Sequence, residues 1–382
     1  MSVTAAAGFS AAAVVAGLKE SGGLDVALVV NSGPSHAAAA VFTGNRAKAN
    51  PVLWSERALA DHTAWAVVLN AGGANCFTGA AGFETSRATA EAAAAALRTE
   101  ASNVVVCSTG MIGDELDREK MVAAVTRAAA ALGADGGPAS RAILTTDTHP
   151  KTAARSADGY TLGAMAKGAG MLAPGLATML VVITTDADLD GQVLERALHE
   201  ATRVTFNRLD SDGCMSTNDQ VTLLASGASG TSPDPAAFTA ELTALCADLA
   251  RQLQADAEGA AHEIAIEVTG AEHEDDAVEV GRAVARSNLF KTAVFGNDPN
   301  WGRVLAAIGT TRARFDPYAV DVTMNGVRVC HAGGPDRPRD EVDLTPRAVR
   351  VVIALHAGAA TATVLTNDLT HDYVHENSAY SS

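Results

Sequence analysis

The chain has 382 residues, of which 48% are hydrophobic and 19% charged, a composition that suits a globular protein with two or more core-bearing lobes. Only 4% of the residues are aromatic, so the core is expected to consist mainly of Ala, Val, Leu and Ile. The formal net charge of −16 would repel phosphate backbones and argues against a nucleic-acid partner, while it still permits a local cationic pocket for a carboxylate substrate.

Strands and helices are predicted to alternate along the chain. Short β-branched runs predict strands, several of which lack alternation and are expected to be buried on both faces: residues 27–31, 66–70, 104–108, 179–185, 263–270, 319–325 and 362–368. Ala-rich periodic segments predict helices over residues 86–97, 114–132, 194–205, 236–255 and 275–289. This mixture indicates the α/β class, and residues 227–235 (GASGTSPDP) form the clearest loop.

Targeting signals and cysteine usage indicate a cytoplasmic protein. No uncharged apolar span of about 18 residues is present, so no membrane segment is expected. Residues 1–18 are rich in Ala and Val but lack the basic leading segment of a signal peptide. The cysteines are odd in number and none are spaced as CxxC, which favours reduced thiols over disulfides or a zinc ribbon: Cys76, Cys107, Cys214, Cys246 and Cys330.

Several glycine-rich segments imitate known motifs without meeting their requirements. Residues 168–173 (GAGMLA) match G-x-G-x-x-A, but the element predicted to follow is a strand, whereas a dinucleotide fingerprint needs a helix. Residues 296–303 (GNDPNWGR) lack the Lys-Ser/Thr of a P-loop, and residues 210–213 (DSDG) fail the EF-hand register. The histidines show no metal-binding spacing and there is no G-x-S-x-G elbow. We therefore predict no metal site, and Thr, Cys or Lys remain as candidate nucleophiles.

Four segments carry polar residues in settings that a structural role alone does not explain. They are residues 107–113 (CSTGMIG), 144–151 (LTTDTHPK), 167–179 (KGAGMLAPGLATM) and Asn377 in the polar tail. In the first of these, a strand runs into a Gly turn, where exposed backbone N–H groups can hold a developing oxyanion. In the third, Thr178 opens an unbroken apolar run, and this seam lacks the polar composition of a linker.

These segments, taken in order, resemble the ornithine acetyltransferase (glutamate N-acetyltransferase) family of arginine biosynthesis, and the actinobacterial members most. The resemblance covers essentially the whole chain. It is carried by NAGGANCFTG, CSTGMIG, TTDTHPK, AKGAGMLAPGLATML, FNRLDSDGCMSTND, EGAAHEIAIEVTGA, KTAVFGNDPNWGR and THDYVHENSAYSS, which occupy residues 70–79, 107–113, 145–151, 166–180, 206–219, 258–271, 291–303 and 370–382. Small departures stand at Ala169, Gly175, Leu176 and Ala261, where other residues are commoner in the family.

The resemblance implies a chain that cuts itself between Ala177 and Thr178. An α chain of residues 1–177 and a β chain of residues 178–382 would then form one folded unit, an αββα sandwich shared with a group of self-processing peptidases, usually assembled as (αβ)2. Thr178 would be the nucleophile and Thr109 with Gly110 the oxyanion pair. The implied substrate contacts are Lys167, Thr178, Glu258, Asn377, Ser382 and a threonine of TTDT, either Thr146 or Thr148.

The implied chemistry follows from a free N-terminal threonine. Its α-amine, with a pKa of roughly 7.7–8.0, is a built-in base for the hydroxyl at neutral pH, but it exists only after the preceding peptide is cut. The implied activity is ping-pong transfer of acetyl from N2-acetyl-L-ornithine to L-glutamate, giving L-ornithine and N-acetylglutamate without a cofactor. Whether acetyl-CoA also serves as donor stays open. The rival functions are a self-processing aminopeptidase or amidase, and a non-catalytic assembly protein.

Overall fold

A computed structural model describes residues 2–173 and 179–379. Its strands are β1 (Phe9–Val14), β2 (Val26–Asn31), β3 (Ala37–Phe42), β4 (Ala66–Ala71), β5 (Val104–Thr109), β6 (Lys151–Ala157), β7 (Tyr160–Lys167), β8 (Leu180–Thr185), β9 (Gln220–Ala225), β10 (Glu263–Ala271), β11 (Asp321–Met324), β12 (Val327–His331), β13 (Gly334–Pro335), β14 (Ala348–Ala354) and β15 (Ala360–Asn367). Its α-helices are α1 (Asn50–Ala58), α2 (Gly79–Leu97), α3 (Arg118–Ala130), α4 (Gly137–Ala142), α5 (Gly191–Val204), α6 (Pro235–Ala255), α7 (Glu274–Ala285), α8 (Asn288–Phe295), α9 (Trp301–Ile308) and α10 (His371–Ala379). Of these helices, none has the length and apolarity needed to cross a bilayer.

Two sheets packed face to face form the centre of the molecule. The first has the strand order β1-β2-β4-β5 and the second β3-β9-β8-β7-β6. Val29, Leu69 and Cys107 of the first sheet pack against Val182 and Leu224 of the second. Every residue of β2, β4, β5, β8 and β9 is buried, which explains why their sequences are apolar runs without alternation.

Helices cover the outer face of each sheet. On the first sheet, α2 and α3 contribute Ala93 and Met121, which pack against Leu28 and Val106. On the second, α5 and α6 supply the covering residues, among them Leu198 and Leu249. The layers therefore run helix, sheet, sheet, helix, and the predicted αββα sandwich is confirmed.

A third sheet lies beside the sandwich and was not distinguished in the sequence. Its order is β13-β12-β11-β14-β10-β15, and α7 and α9 pack on it through residues such as Val280 and Val304. The end of α6 is joined to this sheet because the Gln254 side chain donates to the carbonyls of Ile264 and Thr366. This junction brings the loop after α6 next to the chain that leaves β15.

The predicted cut falls between two neighbouring strands of the second sheet. β7 and β8 are antiparallel partners, with Lys167 opposite Leu180, and β8 runs parallel to β9. Strands β3, β6 and β7 precede the predicted cut, while β8 and β9 follow it. The predicted α and β chains therefore share one sheet, and their boundary is not a domain boundary.

Candidate active site

The turn after β5 is shaped to present backbone donors. Gly110 has φ +132°, and a Cβ at this position would lie 2.4 Å from the backbone nitrogen of Gly73. The carbonyl of Thr109 accepts the N–H groups of Gly72 and Gly73, both at 3.0 Å, which clamps the turn from the neighbouring loop. Within the part of the chain that the structure describes, the Gly110 N–H has no hydrogen-bond partner. It is thus available to an incoming oxyanion, and its role as an oxyanion donor stays a prediction.

The ammonium group of Lys167 lies against this turn. Lys167 is the last residue of β7, is only 2% exposed, and donates from Nζ to Thr109 Oγ1 at 3.2 Å. Asp147 Oδ2 is 4.0 Å from the same nitrogen. Burial lowers the pKa of Lys167, and the negative charge of Asp147 opposes that shift. The structure thus brings three of the predicted residues, Thr109, Gly110 and Lys167, to one point.

Asp147 is a buried carboxylate that sequence analysis did not assign. Its oxygens accept the Lys151 ammonium at 2.5 Å and the N–H groups of Gly168 at 2.6 Å and Thr145 at 3.1 Å. Burial acts to raise the pKa of Asp147, but the positive charges of Lys167 and Lys151 outweigh it and hold the pKa at about 2. Asp147 is therefore ionised at neutral pH and is a fixed counter-charge for the site.

A cavity of about 830 Å³ is bordered by the two residues on either side of Asp147 in the chain. Thr146, Thr148, Glu258 and Asn377 all line it, so the structure brings these four predicted substrate contacts together. The hydroxyl of Thr148 is engaged by the Asp256 carboxylate. The hydroxyl of Thr146 has no partner among residues 2–173 and 179–379, which favours Thr146 over Thr148 as the substrate contact.

Glu258 lies between the segment that follows β7 and the C-terminal helix α10. Its backbone N–H donates to the Ala169 carbonyl at 3.0 Å, and its carboxylate covers Gly170 so closely that a Cβ there would lie 2.3 Å from Oε2. Asn377 Nδ2 on α10 donates to the same oxygen at 3.0 Å. A side chain at position 170 would therefore displace the Glu258 carboxylate from its present position.

The structure also identifies polar residues that the sequence did not mark as functional. Asp219 is fully buried and accepts the N–H of Met179 at 3.0 Å, the residue bonded to Thr178. Burial raises the pKa of Asp219 well above its usual range. Lys291, in a second cavity of about 60 Å³ that Glu258 also lines, has its pKa lowered by burial to about 8. Asp219 and Lys291 both lie inside the stretches that carry the family resemblance, but their burial could not be inferred from those sequences.

Some predicted residues cannot be placed. Ala177, Thr178 and Ser382 lie outside the described residues, so the cut and the nucleophile stay predictions. Among the residues that are described, no group of three or more His, Cys, Asp or Glu side chains could hold a metal ion.

Comparison with known proteins gives a consistent result over the whole chain. Residues 10–382 match the model of the ArgJ family. The arginine biosynthesis bifunctional protein ArgJ of Thermobifida fusca and that of Streptomyces coelicolor are each 60% identical to this chain over 100% of both sequences. The corresponding protein of Mycobacterium tuberculosis is 52% identical over 100% of this chain and 96% of its own.

Solved structures also match parts of the chain. A crystal structure of ornithine acetyltransferase from Mycobacterium tuberculosis, complexed with ornithine, is 50% identical over 47% of this chain and 96% of that chain, with a TM-score of 0.45. A structure of arginine biosynthesis bifunctional protein ArgJ from Bacillus halodurans is 36% identical over 52% of this chain and 97% of that chain, with a TM-score of 0.49. On the evidence of the family model and of relatives matched from end to end, the chain belongs to the ArgJ family.

Proposed function

We propose that this protein is a glutamate N-acetyltransferase of arginine biosynthesis, which transfers acetyl from N2-acetyl-L-ornithine to L-glutamate. Membership of the ArgJ family and the names of its 60%-identical relatives support this activity. The observation that carries it is the buried ammonium of Lys167, which lies 3.2 Å from Thr109 at the oxyanion turn. Ion pairs through Asp147 and Lys151 connect it to Asp256 on the wall of the 830 Å³ cavity. Such a set suits acyl transfer to and from a hydroxyl nucleophile.

The nucleophile in this proposal is Thr178, which is released by cleavage of the peptide bond to Ala177. The hydroxyl attacks the Ala177 carbonyl carbon, the acyl group passes from nitrogen to oxygen, and water hydrolyses the ester. The products are a carboxylate on Ala177 and a free amine on Thr178. Support comes from Met179, the residue bonded to Thr178, because buried Asp219 accepts its N–H immediately before a fully buried strand.

Catalysis would then use the same hydroxyl twice. Thr178 Oγ1 attacks the acetyl carbon of N2-acetylornithine while its α-amine takes the proton. Thr109 and the Gly110 N–H hold the oxyanion, where one donor is typically worth about 3–4 kcal/mol. The C–N bond breaks, and ornithine leaves with the proton. The amine of glutamate attacks the acetyl-Thr178 ester, and N-acetylglutamate departs as the hydroxyl is restored.

The cavity offers partners for both ends of the substrates. Lys167 is assigned the α-carboxylate common to ornithine and glutamate, because it is a buried cation beside the oxyanion turn. Glu258 and Glu376 line the cavity and suit the δ-ammonium of ornithine. Thr146 and Asn377 provide neutral hydrogen-bonding groups on the same wall, and Ser382 is kept as a further contact.

The proposal extends to features that the geometry leaves open. No cofactor is assigned, and acetyl-CoA is proposed as a second acetyl donor because the relatives are named bifunctional. The cut α and β chains are proposed to form an (αβ)2 assembly in the cytoplasm.

The proposal is tested by incubating the purified protein with N2-acetylornithine, with and without glutamate. We expect N-acetylglutamate and ornithine in equal amounts, and little acetate when glutamate is omitted. Equal release of acetate in both conditions would identify a hydrolase instead. In parallel, Thr178→Ala should leave one band of 38.8 kDa and no activity. Thr178→Ser, which keeps a hydroxyl, should still be cut.

A further inference from the structure

Four buried charges form a row of alternating sign that runs from the cavity wall to the oxyanion turn. The row consists of Asp256, Lys151, Asp147 and Lys167 in that order. The exposed fractions of the side chains of these residues are 4%, 0%, 0% and 2%. Asp256 lines the cavity, whereas Lys151 is fully enclosed and bonded to both neighbouring carboxylates. Lys151 therefore cannot contact a substrate, yet it stands two positions from Lys167 in the row.

The two carboxylate oxygens of Asp147 make different contacts, and this difference affects Lys167. Lys151 is 2.5 Å from one carboxylate oxygen and Gly168 N–H binds the same atom, so this side of Asp147 is fully engaged. Lys167 is 4.0 Å from the other oxygen, beyond hydrogen-bond distance. Lys167 thus receives electrostatic stabilisation from Asp147, while its hydrogen bond among residues 2–173 and 179–379 goes to Thr109 Oγ1 and not to that carboxylate.

We propose that Lys151 is a positioning residue that holds Asp147 away from Lys167 and so keeps the Lys167 ammonium available for the α-carboxylate of the substrate. Without Lys151, Asp147 would be a buried anion that lacks its direct ion-pair partner, a costly state in a site from which water is excluded. The remaining cation paired with Asp147 is Lys167, whose Nζ lies 4.0 Å from Oδ2 and needs to move only about 1 Å to form a direct hydrogen bond with it. That movement would draw it from Thr109 and from the substrate. This inference rests on the carboxylate-binding role proposed for Lys167.

The expected consequence concerns recognition of one substrate group. N-acetylputrescine has the acetylated amine and the terminal ammonium of N2-acetylornithine but lacks the α-carboxylate. The value of kcat/KM for N2-acetylornithine divided by that for N-acetylputrescine therefore measures how well Lys167 is placed. Lys167→Met gives the ratio expected when the ammonium is absent.

The test compares Lys151→Met with the unmodified protein, with glutamate as acceptor. We expect the ratio to fall about tenfold or more towards the Lys167→Met value, as expected for loss of a hydrogen bond to a charged group. A role of Lys151 in folding alone would lower kcat/KM for both donors equally, and an unchanged ratio overturns the proposal. Lys120→Met, at an exposed lysine that pairs with Asp117 and not with a residue of the row, is the matched control and should leave the ratio unaltered.

A second variant covers the case in which Lys151→Met does not fold. Lys151→Met combined with Asp256→Asn removes one charge of each sign and leaves Asp147 without Lys151, so the ratio should fall here as well. A ratio equal to that of the unmodified protein in the double variant also overturns the proposal. Failure of the unmodified protein to form N-acetylglutamate from N2-acetylornithine would instead refute the proposed function, which the same assay reveals.

Discussion

Thr146 and Thr148 line the same cavity but differ in what their hydroxyls do. Thr148 is bound through both its N–H and its hydroxyl to Asp256, whereas the Thr146 hydroxyl has no partner within the described residues. A polar group that is unbound in the structure and faces a substrate cavity is available to a ligand, and one that completes a buried carboxylate contributes to stability.

Replacing each threonine by valine should therefore have different effects. Thr146→Val is expected to raise KM for N2-acetylornithine roughly fivefold, with little change in the free energy of unfolding, because about 1 kcal/mol of hydrogen bonding to substrate is lost. Thr148→Val should lower the free energy of unfolding by about 1–2 kcal/mol and leave KM nearly unchanged. Steady-state kinetics and denaturant titration of both variants measure this, and the reverse pattern would assign the contact to Thr148.

At the scale of single residues, the sequence predicted which segments contribute to the site but not which of their side chains pair with one another. The string TTDTHPK identified the segment, and its resemblance restricted the substrate contact to two threonines. It could not show that Asp147, Lys151 and Asp256 form one buried ionic cluster, because Asp256 comes more than a hundred residues later in the chain, at the end of α6. Pairing between distant residues depends on packing, and a single sequence contains no direct signal for it.

Individual elements show where local sequence signals succeed and where sheet pairing overrides them. The valine-rich strands were predicted within a few residues, as for β5 at Val104–Thr109. The Ala-rich strands β1, β3 and β6 were missed because alanine favours helices, and only pairing in the two sheets makes them extended. The helix predicted over residues 275–289 is two helices, since Ser287 caps the start of α8 by accepting the N–H of Phe290.

The C-terminal helix α10 lies on the cavity without being part of the core. None of its residues is buried and none belongs to a hydrophobic cluster of the described chain. It is fixed at its start by contact of Tyr373 with Gly259, where a Cβ would lie 2.2 Å from the Tyr373 nitrogen, and by Asn377 on Glu258. The helix α10 therefore contributes more to the wall of the cavity than to the stability of the core.

A chain that ends at Thr370 should accordingly remain folded but inactive. We expect its circular dichroism and thermal midpoint to stay close to those of the full chain, while kcat/KM for N2-acetylornithine falls at least about a hundredfold, since one wall of the cavity is removed. Asn377→Ala, which keeps the helix, should give a smaller loss of about tenfold. Loss of the folded state on truncation would show that α10 stabilises the core.

At the scale of the whole molecule, the second sheet connects the two predicted chains. β7 pairs with β8 over Leu162–Lys167 and Leu180–Thr185, and β3 pairs with β9 along their full lengths. The core between the sheets also contains residues from both sides of the cut, such as Met165 and Val182. Cutting the peptide bond between Ala177 and Thr178 leaves all of these contacts in place.

The cut protein should therefore behave as one particle in native conditions and as two chains only when unfolded. On a denaturing gel we expect two bands whose masses sum to 38.8 kDa, whereas size exclusion in buffer should elute both bands in a single peak at an identical ratio. Separation requires breaking an interface made of buried strands, so the two bands should part only at denaturant concentrations that also abolish circular dichroism. The uncut Thr178→Ala variant, run beside it, should elute at the same volume because it has the same sheets. Dissociation of the two bands in buffer would mean that the shared sheet is held together by the connecting peptide and not by the packing of its strands.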